Sequence, residues 1–165
     1  MKILVLSDSH GDVENMRVIV GVERPDMIIH LGNDFSDAEE LEAEYPEIRM
    51  EKVIGNLDKA AGSEKTVRYV DICGRRFLLT HGHTFEVAEH RDGIRNLFRY
   101  AAENGADIIL YGHTHEPFLN CCNGKWIMNP GRAGRRIMGG SVHMTYGILY
   151  IDAENVEWSF KEVIR

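Results

Sequence analysis

The stretch DMIIHLGNDFSD, residues 26–37, decides the fold class because a short apolar strand runs directly into a loop of polar side chains. DMIIHLG at 26–32 has the length and the nearly continuous apolar character of a strand that is covered on both faces. KILVLS at 2–7 and MEKVIG at 50–55 have the same character. Helical patterns separate these three segments, so the order is β-α-β-α-β, and the crossover rule predicts a parallel sheet in an α/β fold.

Capping residues mark where the helices between these strands begin. Asp12 is expected to cap a helix over VENMRVIVGVE at 13–23, and Asp37 a short acidic helix over AEELEAEY at 38–45. The longest helical pattern covers residues 87–105 and ends at a glycine. The other patterns predict strands at 66–72, 75–81, 107–113, 117–121, 125–129, 142–152 and 155–163.

Composition and charge bound the class of protein. The chain has 165 residues, of which 44% are hydrophobic, and this suits one globular domain over 1–165. A formal charge of -7 argues against nucleic acid and anionic membranes as partners, because both bind basic surfaces. No apolar run approaches the ~20 residues of a membrane span, and the three cysteines form no C-x-x-C motif. We therefore expect a cytoplasmic protein without a disulfide scaffold.

Residues that can bind metals gather directly after strands. Five short motifs do so, namely DSH at 8–10, GND at 32–34, GNLD at 55–58, THGH at 80–83 and GHTH at 112–115. The carboxyl ends of parallel strands meet at one edge of a sheet, which is where ligands bind. Each motif alone is weak, because loop aspartates often only cap turns. Together they indicate one metal site, and nitrogen and oxygen donors without thiolate suit Mn, Fe, Zn, Co or Ni.

The ordered set DSHGD, HLGND, GNLD, THGH and GHTH resembles the calcineurin-like metallophosphoesterase superfamily. The short chain, its C-terminal strands and NPG at 129–131 are similar to the small prokaryotic phosphodiesterases of the YfcE type. This resemblance implies a single-domain, four-layer α-β-β-α sandwich with two divalent transition metals, manganese being the first choice. It also implies hydrolysis of a small phosphate ester, in particular a phosphodiester, by hydroxide that the two metals generate.

Carried over to this chain, the family's metal ligands fall at seven positions. The terminal ligands are Asp8, His10 and His115 for one metal and Asn56, His81 and His113 for the other. The carboxylate that bridges the two metals in the family falls at Asn33, so an amide stands where the family has aspartate. Because an amide carries no negative charge, we expect this residue to weaken the two-metal centre.

The bridging position has a competitor one residue further on. In an extended chain Asn33 and Asp34 point to opposite faces, so only one of them can face the metals without a bulge. The spacing to DAEEL at 37–41 favours Asn33 in the site, with Asp34 turned outward and Asp37 at the helix cap.

Catalytic and substrate-binding roles are assigned to three loops. Many family members have a histidine, resembling a general acid, where this chain has Leu57. Without a proton donor at this position, we expect the substrates to be activated or labile esters. His83 is the candidate proton donor in its place. Arg132 and Arg135 in GRAGRR, with Arg136 beside them, are candidates for bidentate contact with phosphate.

Rival functions remain open. One is an interaction scaffold, because a retromer coat subunit resembles this fold and works through protein contacts. Ligand completeness favours the enzyme, since Asn33 alone of the seven positions departs from the family residue type. A metal-dependent nuclease is disfavoured by the missing basic groove. Exposed strands at the C-terminus could also pair across a homodimer.

Overall fold

The computed structural model describes residues 1–59, 65–135 and 143–163. In these ranges the α-helices are α1 Val13–Glu23, α2 Phe35–Glu44 and α3 Gly93–Glu103, with a 3-10 turn at His83–Phe85. The strands are β1 Lys2–Leu6, β2 Met27–His30, β3 Arg49–Lys52, β4 Val67–Ile72, β5 Arg75–Thr80, β6 Ile108–Leu110, β7 Pro117–Cys122, β8 Lys125–Pro130, β9 Thr145–Ile151 and β10 Val156–Glu162. The predicted strand at 142–152 has its first residue outside the described ranges. Within those ranges no helix has the length and apolarity that a bilayer crossing requires.

The strands form two five-stranded sheets. The first has the order β10-β9-β1-β2-β3, and β1, β2 and β3 are parallel, as the β-α-β-α-β pattern predicts. In the same sheet β9 runs antiparallel to both β1 and β10. The second sheet has the order β4-β5-β6-β8-β7, with β5, β6 and β8 parallel and an antiparallel strand at each edge. Both sheets are therefore mixed.

Alternation of side chains gives the central strands two buried faces. Ile3 of β1 and Phe77 of β5 point into a core between the two sheets. Leu4, the next residue of β1, packs beneath α1 and α2, and Leu78 of β5 packs beneath α3. Full burial of a side chain of this size contributes about 1.5–3 kcal/mol relative to exposure. The layers confirm the predicted α-β-β-α sandwich.

The two helices of the first sheet begin differently from each other. Asp12 caps α1 as predicted, and its carboxylate accepts a hydrogen bond from the Asn15 amide at 3.4 Å. The prediction that Asp37 caps α2 is wrong, because Asp34 occupies the cap position and Asp37 lies in the first turn. The Asp37 carboxylate instead accepts a hydrogen bond from the Gly11 amide at 2.9 Å. It therefore ties α2 to the loop that follows β1.

Two further boundaries differ from the sequence prediction. α3 occupies only Gly93–Glu103 of the predicted 87–105. An added Cβ at Gly93 would lie 2.3 Å from the Glu86 carbonyl oxygen, so the chain folds back tightly here and the preceding residues form turns. β3 ends at Lys52, because the rest of the apolar pattern leaves the sheet toward the loop that carries GNLD.

Candidate metal centre

The predicted ligands follow strands of both sheets. In the first sheet Asp8 and His10 follow β1, Asn33 follows β2 and Asn56 follows β3; in the second sheet His81 follows β5, and His113 and His115 follow β6. The motif pattern suggested the edge of one sheet, whereas the structure divides the loops between two facing sheets. The second sheet therefore brings its histidines to the site from across the central core.

Asp8 is the point at which these loops meet. Its side chain is fully buried, and Oδ2 accepts hydrogen bonds from the Ser7 hydroxyl at 2.6 Å and the His113 amide at 3.1 Å. Oδ1 lies 3.2 Å from Nε2 of His115 and accepts a hydrogen bond from Nδ2 of Asn33 at 3.2 Å. One carboxylate thus joins the loops after β1, β2 and β6.

His10 and His115 approach the same oxygen of that carboxylate. Their Nε2 atoms are 3.3 Å apart, and Nε2 of His10 lies 3.7 Å from Oδ1 of Asp8. One ligand atom from each of Asp8, His10 and His115 lies within 4.8 Å of the other two. Two imidazole nitrogens and one carboxylate oxygen around a common point form a donor set that divalent transition metals bind.

His81 supplies a donor atom that the described part of the chain leaves unsatisfied. Its ring is fully buried, and Nδ1 donates a hydrogen bond to the Leu31 carbonyl at 2.7 Å. Nε2 has no hydrogen-bond partner among the described residues and lies 3.8 Å from Oδ1 of Asp8. A buried polar atom without a partner costs about 1–3 kcal/mol, and a metal ion would satisfy it. The donor set therefore fits the metals that the sequence predicts.

His113 lies beside His81, with ring centroids 5.0 Å apart. Its Nε2 lies 2.8 Å from Oε1 of Glu89. Sequence reasoning missed Glu89, because the pattern placed it within a helix over 87–105. The turns that replace the first part of that helix bring the carboxylate to the site.

Asn33 lies inside the cluster, and Asp34 lies at its edge. The Asn33 side chain is buried, and Nδ2 donates hydrogen bonds to Oδ1 of Asp8 and Oδ1 of Asn56, both at 3.2 Å. The Asp34 carboxylate accepts a hydrogen bond from the Ser36 hydroxyl at 2.8 Å, at the start of α2. Of the two competing positions, Asn33 is the one whose side chain lies between Asp8 and Asn56.

Burial and neighbouring charges shift the pKa values of these groups. Burial raises the pKa of Asp8, but His115, His81 and Ser7 outweigh it and lower that pKa to about 2. Burial lowers the pKa of His81 to about 4 against the pull of the Asp8 charge, and it also lowers the pKa of His10. At neutral pH the carboxylate is ionised and these two imidazoles are uncharged, the forms in which both groups bind metals.

Left-handed backbone turns the ligand side chains inward. Five of the predicted ligands have φ between 49° and 70°, namely Asp8, His10, Asn33, His113 and His115. Such values are uncommon for residues with a Cβ, cost on the order of 1–3 kcal/mol each and concentrate at functional sites. Gly112 has no room for a side chain, because an added Cβ would lie 2.0 Å from the Ser7 hydroxyl oxygen.

His83 and Arg132 lie near this cluster, and Arg135 lies beside Asp12. The ring centroid of His83 is 5.5 Å from that of His81, and its buried Nδ1 has no hydrogen-bond partner in the described ranges. Arg132 is buried, at 2% exposure. The Arg135 amide donates a hydrogen bond to the Asp12 carboxylate at 3.3 Å. Arg136 lies outside the described residues, and so does its predicted contact with phosphate.

Asp58, the last residue of the GNLD motif, caps turns with its carboxylate. Its Oδ2 accepts hydrogen bonds from the amides of Asn33 at 3.0 Å and Gly55 at 2.7 Å. Its Oδ1 accepts a hydrogen bond from the Phe35 amide at 2.9 Å. Asp58 therefore holds the loop after β2 at two of its amides and joins it to the loop after β3.

Known proteins share this sequence pattern. The family model of the calcineurin-like phosphoesterase superfamily domain matches residues 1–154. YsnB, a probable metallophosphoesterase of Bacillus subtilis, is 34% identical over 134 residues, which cover 79% of this chain and 74% of the relative. A phosphodiesterase of Methanocaldococcus jannaschii is 28% identical over 181 aligned positions, which cover 99% of this chain and 99% of the relative.

Solved structures share the fold. A protein of Streptococcus pneumoniae, described as a predicted phosphoesterase, is 26% identical with a TM-score of 0.77, covering 98% of this chain and 88% of that protein. Vps29 of Entamoeba histolytica, solved in complex with zinc, is 20% identical with a TM-score of 0.73, covering 99% of this chain and 100% of Vps29. At that identity the likeness to Vps29 concerns the fold alone. Because the family match extends over most of the sequence, and a relative above 30% identity covers more than two thirds of it, the chain belongs to the calcineurin-like phosphoesterase superfamily.

Proposed function

We propose that the protein is a metal-dependent phosphodiesterase acting on small phosphate esters. The observation that carries this proposal is the convergence on Asp8, a fully buried carboxylate that donor atoms from both sheets approach. Burying ionisable groups and an unsatisfied nitrogen of His81 at strand ends costs folding free energy, so a role in the fold alone does not explain them. The phosphodiesterase among the relatives supports the choice of ester.

In this proposal the seven predicted ligands hold two divalent cations. Asp8, His10 and His115 would hold one, and Asn56, His81 and His113 would hold the other. Asn33 would be the position shared by both, since its side chain contacts Asp8 and Asn56. When bound, two such cations activate water as the nucleophile and neutralise charge on the phosphoryl oxygens. Manganese is the first choice, and nickel, iron, cobalt or zinc suit the same nitrogen and oxygen donors. The chain contributes rigid orientation, for example through the hydrogen bond between His81 and the Leu31 carbonyl.

Protonation of the leaving group is the weak step. Leu57, 67% exposed, cannot donate a proton. His83 is the candidate donor, but burial and His113 lower its pKa, so the charged imidazolium that a general acid needs is depleted at neutral pH. We therefore expect esters with activated or labile leaving groups to be the substrates.

Space for the organic part of a substrate lies on two sides of the proposed centre. A cavity of about 370 Å³ is lined in part by Phe35 and Leu57, and one of about 360 Å³ in part by His113 and Phe118. Both fall within the size range of small-molecule sites. Arg132 stays a candidate for phosphate contact, since its charge is felt at His10, and Arg135 stays a second.

The test is a metal-stripping experiment. Purified protein is treated with excess chelator, its metal content is measured, and hydrolysis of an activated aryl phosphodiester is followed before and after adding Mn²⁺, Ni²⁺, Co²⁺ or Mg²⁺ singly. We expect turnover to vanish in chelator and to return with a transition metal. Full activity after confirmed metal removal would contradict the proposal.

An interaction scaffold is the second candidate, and the fold likeness to Vps29 favours it. A scaffold needs no tightly held metal and no turnover. If the stripped and reloaded protein binds transition metals but hydrolyses neither phosphodiesters nor phosphomonoesters, the function of an interaction scaffold is favoured over that of an enzyme.

A further inference from the structure

Glu89 makes the hydrogen bond that fixes the ring of His113. Its Oε1 lies 2.8 Å from Nε2 of His113, and the Glu89 side chain is 52% exposed while that of His113 is 12% exposed. Among the hydrogen bonds of the described residues, the ring of His113 makes only this one. The carboxylate therefore holds the imidazole from its solvent side.

The neighbouring His81 shows what such an anchor does. Its Nδ1 donates to the Leu31 carbonyl at 2.7 Å, which leaves Nε2 as the free nitrogen, 3.8 Å from Oδ1 of Asp8. An anchored nitrogen carries the proton, so the other nitrogen is the acceptor that can bind a cation. In His113 the anchored nitrogen is Nε2, so the free acceptor is Nδ1.

We propose that Glu89 is a positioning residue, which holds His113 in the Nε2-protonated form with Nδ1 available to a divalent cation. This inference rests on the proposed function in one respect, namely that His113 is a metal ligand. Carboxylates that orient a metal-binding histidine through its other nitrogen change metal affinity or activity by about 10–100-fold when removed. The predicted ligands Asn56, His81 and His113 include no carboxylate of their own, and Glu89 is the acid that contacts the ring of His113.

The same segment offers a matched control. Oε2 of Glu86 lies 3.7 Å from Nε2 of His90, with both side chains more than 60% exposed. Glu86 and His90 thus form a second pair of a carboxylate and a histidine. Glu86 lies three residues before Glu89, and His90 is not one of the predicted ligands. Glu86→Ala removes a comparable charge without touching His113.

The first measurement uses metal-free protein, so it does not depend on turnover. Long-range ¹⁵N–¹H spectra report which nitrogen of His113 carries the proton. We expect the Nε2-protonated form to dominate in the wild type and in Glu86→Ala, and to lose its dominance in Glu89→Ala. Glu89→Gln should restore it, because the amide oxygen can still accept the hydrogen bond.

The second measurement is a Mn²⁺ titration followed by electron paramagnetic resonance. Glu89→Ala should weaken binding of the Mn²⁺ that Asn56, His81 and His113 would hold by about 10–100-fold, and Glu89→Gln should recover most of that loss. Unchanged spectra and affinity in Glu89→Ala overturn the inference, and so does a Glu89→Gln variant as deficient as Glu89→Ala. A wild type that neither binds Mn²⁺ nor turns over ester overturns the proposed function instead, while the metal-free spectra still decide whether Glu89 sets the proton on His113.

Discussion

The two halves of the candidate metal centre differ in charge and in how their donors are held. The Asp8 half consists of Asp8, His10 and His115, and the His81 half consists of Asn56, His81 and His113. The Asp8 half contains a fully buried carboxylate, and its three donor atoms lie within 4.8 Å of one another. The His81 half has only neutral donors, and Asn56 is exposed. The donors of the Asp8 half therefore bring a negative charge to a dication, whereas the donors of the His81 half bring only dipoles, and Glu89 lies behind them on His113.

Because the two halves differ in charge, we expect the two metal positions to differ in affinity. In the family resemblance a bridging carboxylate serves both positions, and here Asn33 stands in its place. Nδ2 of Asn33 donates hydrogen bonds to Oδ1 of Asp8 and Oδ1 of Asn56, so this side chain joins the two halves without adding a negative charge. We therefore expect one tightly held metal in the Asp8 half and a looser one in the His81 half.

The largest expected effect comes from Asp8→Asn. The change keeps the shape but removes the one carboxylate of the proposed ligand set, so the tightly held metal should be lost and the rate should fall by at least ~1000-fold, about 4 kcal/mol in the barrier. Metal content per chain and diesterase rate measure the two effects. Asp71→Asn, at an exposed site on β4, is the control that should change neither.

The companion variant His81→Ala separates the halves. It should keep the tight metal and lose only the rate gained by adding excess metal. If His81→Ala empties both positions while Asp8→Asn leaves one filled, the assignment of charge to the two halves is the wrong way round.

Acid should destabilise the two halves in different pH windows in metal-free protein. The pKa of His81 falls from 6.5 to about 4 on folding, mainly through burial. The unfolded chain then binds a proton between those values that the folded chain refuses, so the free energy of unfolding falls as pH drops through this window, by up to about 3 kcal/mol. Asp8, whose pKa is lowered to about 2, contributes stability that is lost only as pH falls below about 3.8.

Urea unfolding at pH 7, 5, 4 and 2 measures the free energy of unfolding across both windows. His81→Asn should flatten the pH dependence of the free energy of unfolding between pH 7 and 5. The Nδ2 of asparagine matches the position of Nδ1 and can still donate to the Leu31 carbonyl, and asparagine does not titrate. His30 is a second buried histidine with its pKa lowered to about 4, so part of the slope must remain in that variant. An unchanged slope in His81→Asn contradicts the assignment to His81.

The fold could be predicted from the sequence where continuous apolar runs mark the strands. β1 and β2 are continuous apolar runs with buried side chains throughout their middles, and these runs predicted the parallel sheet. The helix prediction was wrong for the first part of 87–105. The turns there depend on the close approach of Gly93 to the Glu86 carbonyl, and the apolar pattern of the sequence does not predict that contact. The Asp37 cap failed for a similar reason, because the Gly11 amide competes for the carboxylate.

The site was readable only in part. Motif order predicted which residues would meet, since each motif directly follows a strand. Contacts made across the fold were not readable, and Glu89 on His113 is one of them. Another is the segment after NPG, where the Ala133 amide donates to the Ser7 carbonyl at 2.8 Å beside the first motif. Such contacts depend on the packing of one sheet against the other, and spacing along the chain does not encode it.

The smallest expected effect, and the one that reverses the difference between the halves, comes from Asn33→Asp. Without metal, aspartate cannot donate to Asp8 and would place two carboxylates together, so the melting temperature of the metal-free variant should fall. With Mn²⁺ the new carboxylate can serve both positions, so metal content should rise toward two per chain and the rate should rise at least ~10-fold, about 1.4 kcal/mol. Asp34→Ala is the matched change one residue away, and it should leave metal content and rate near wild type. If Asn33→Asp gains neither metal nor rate while Asp34→Ala destroys both, Asp34 is the bridging residue and the register of this loop has to be shifted by one.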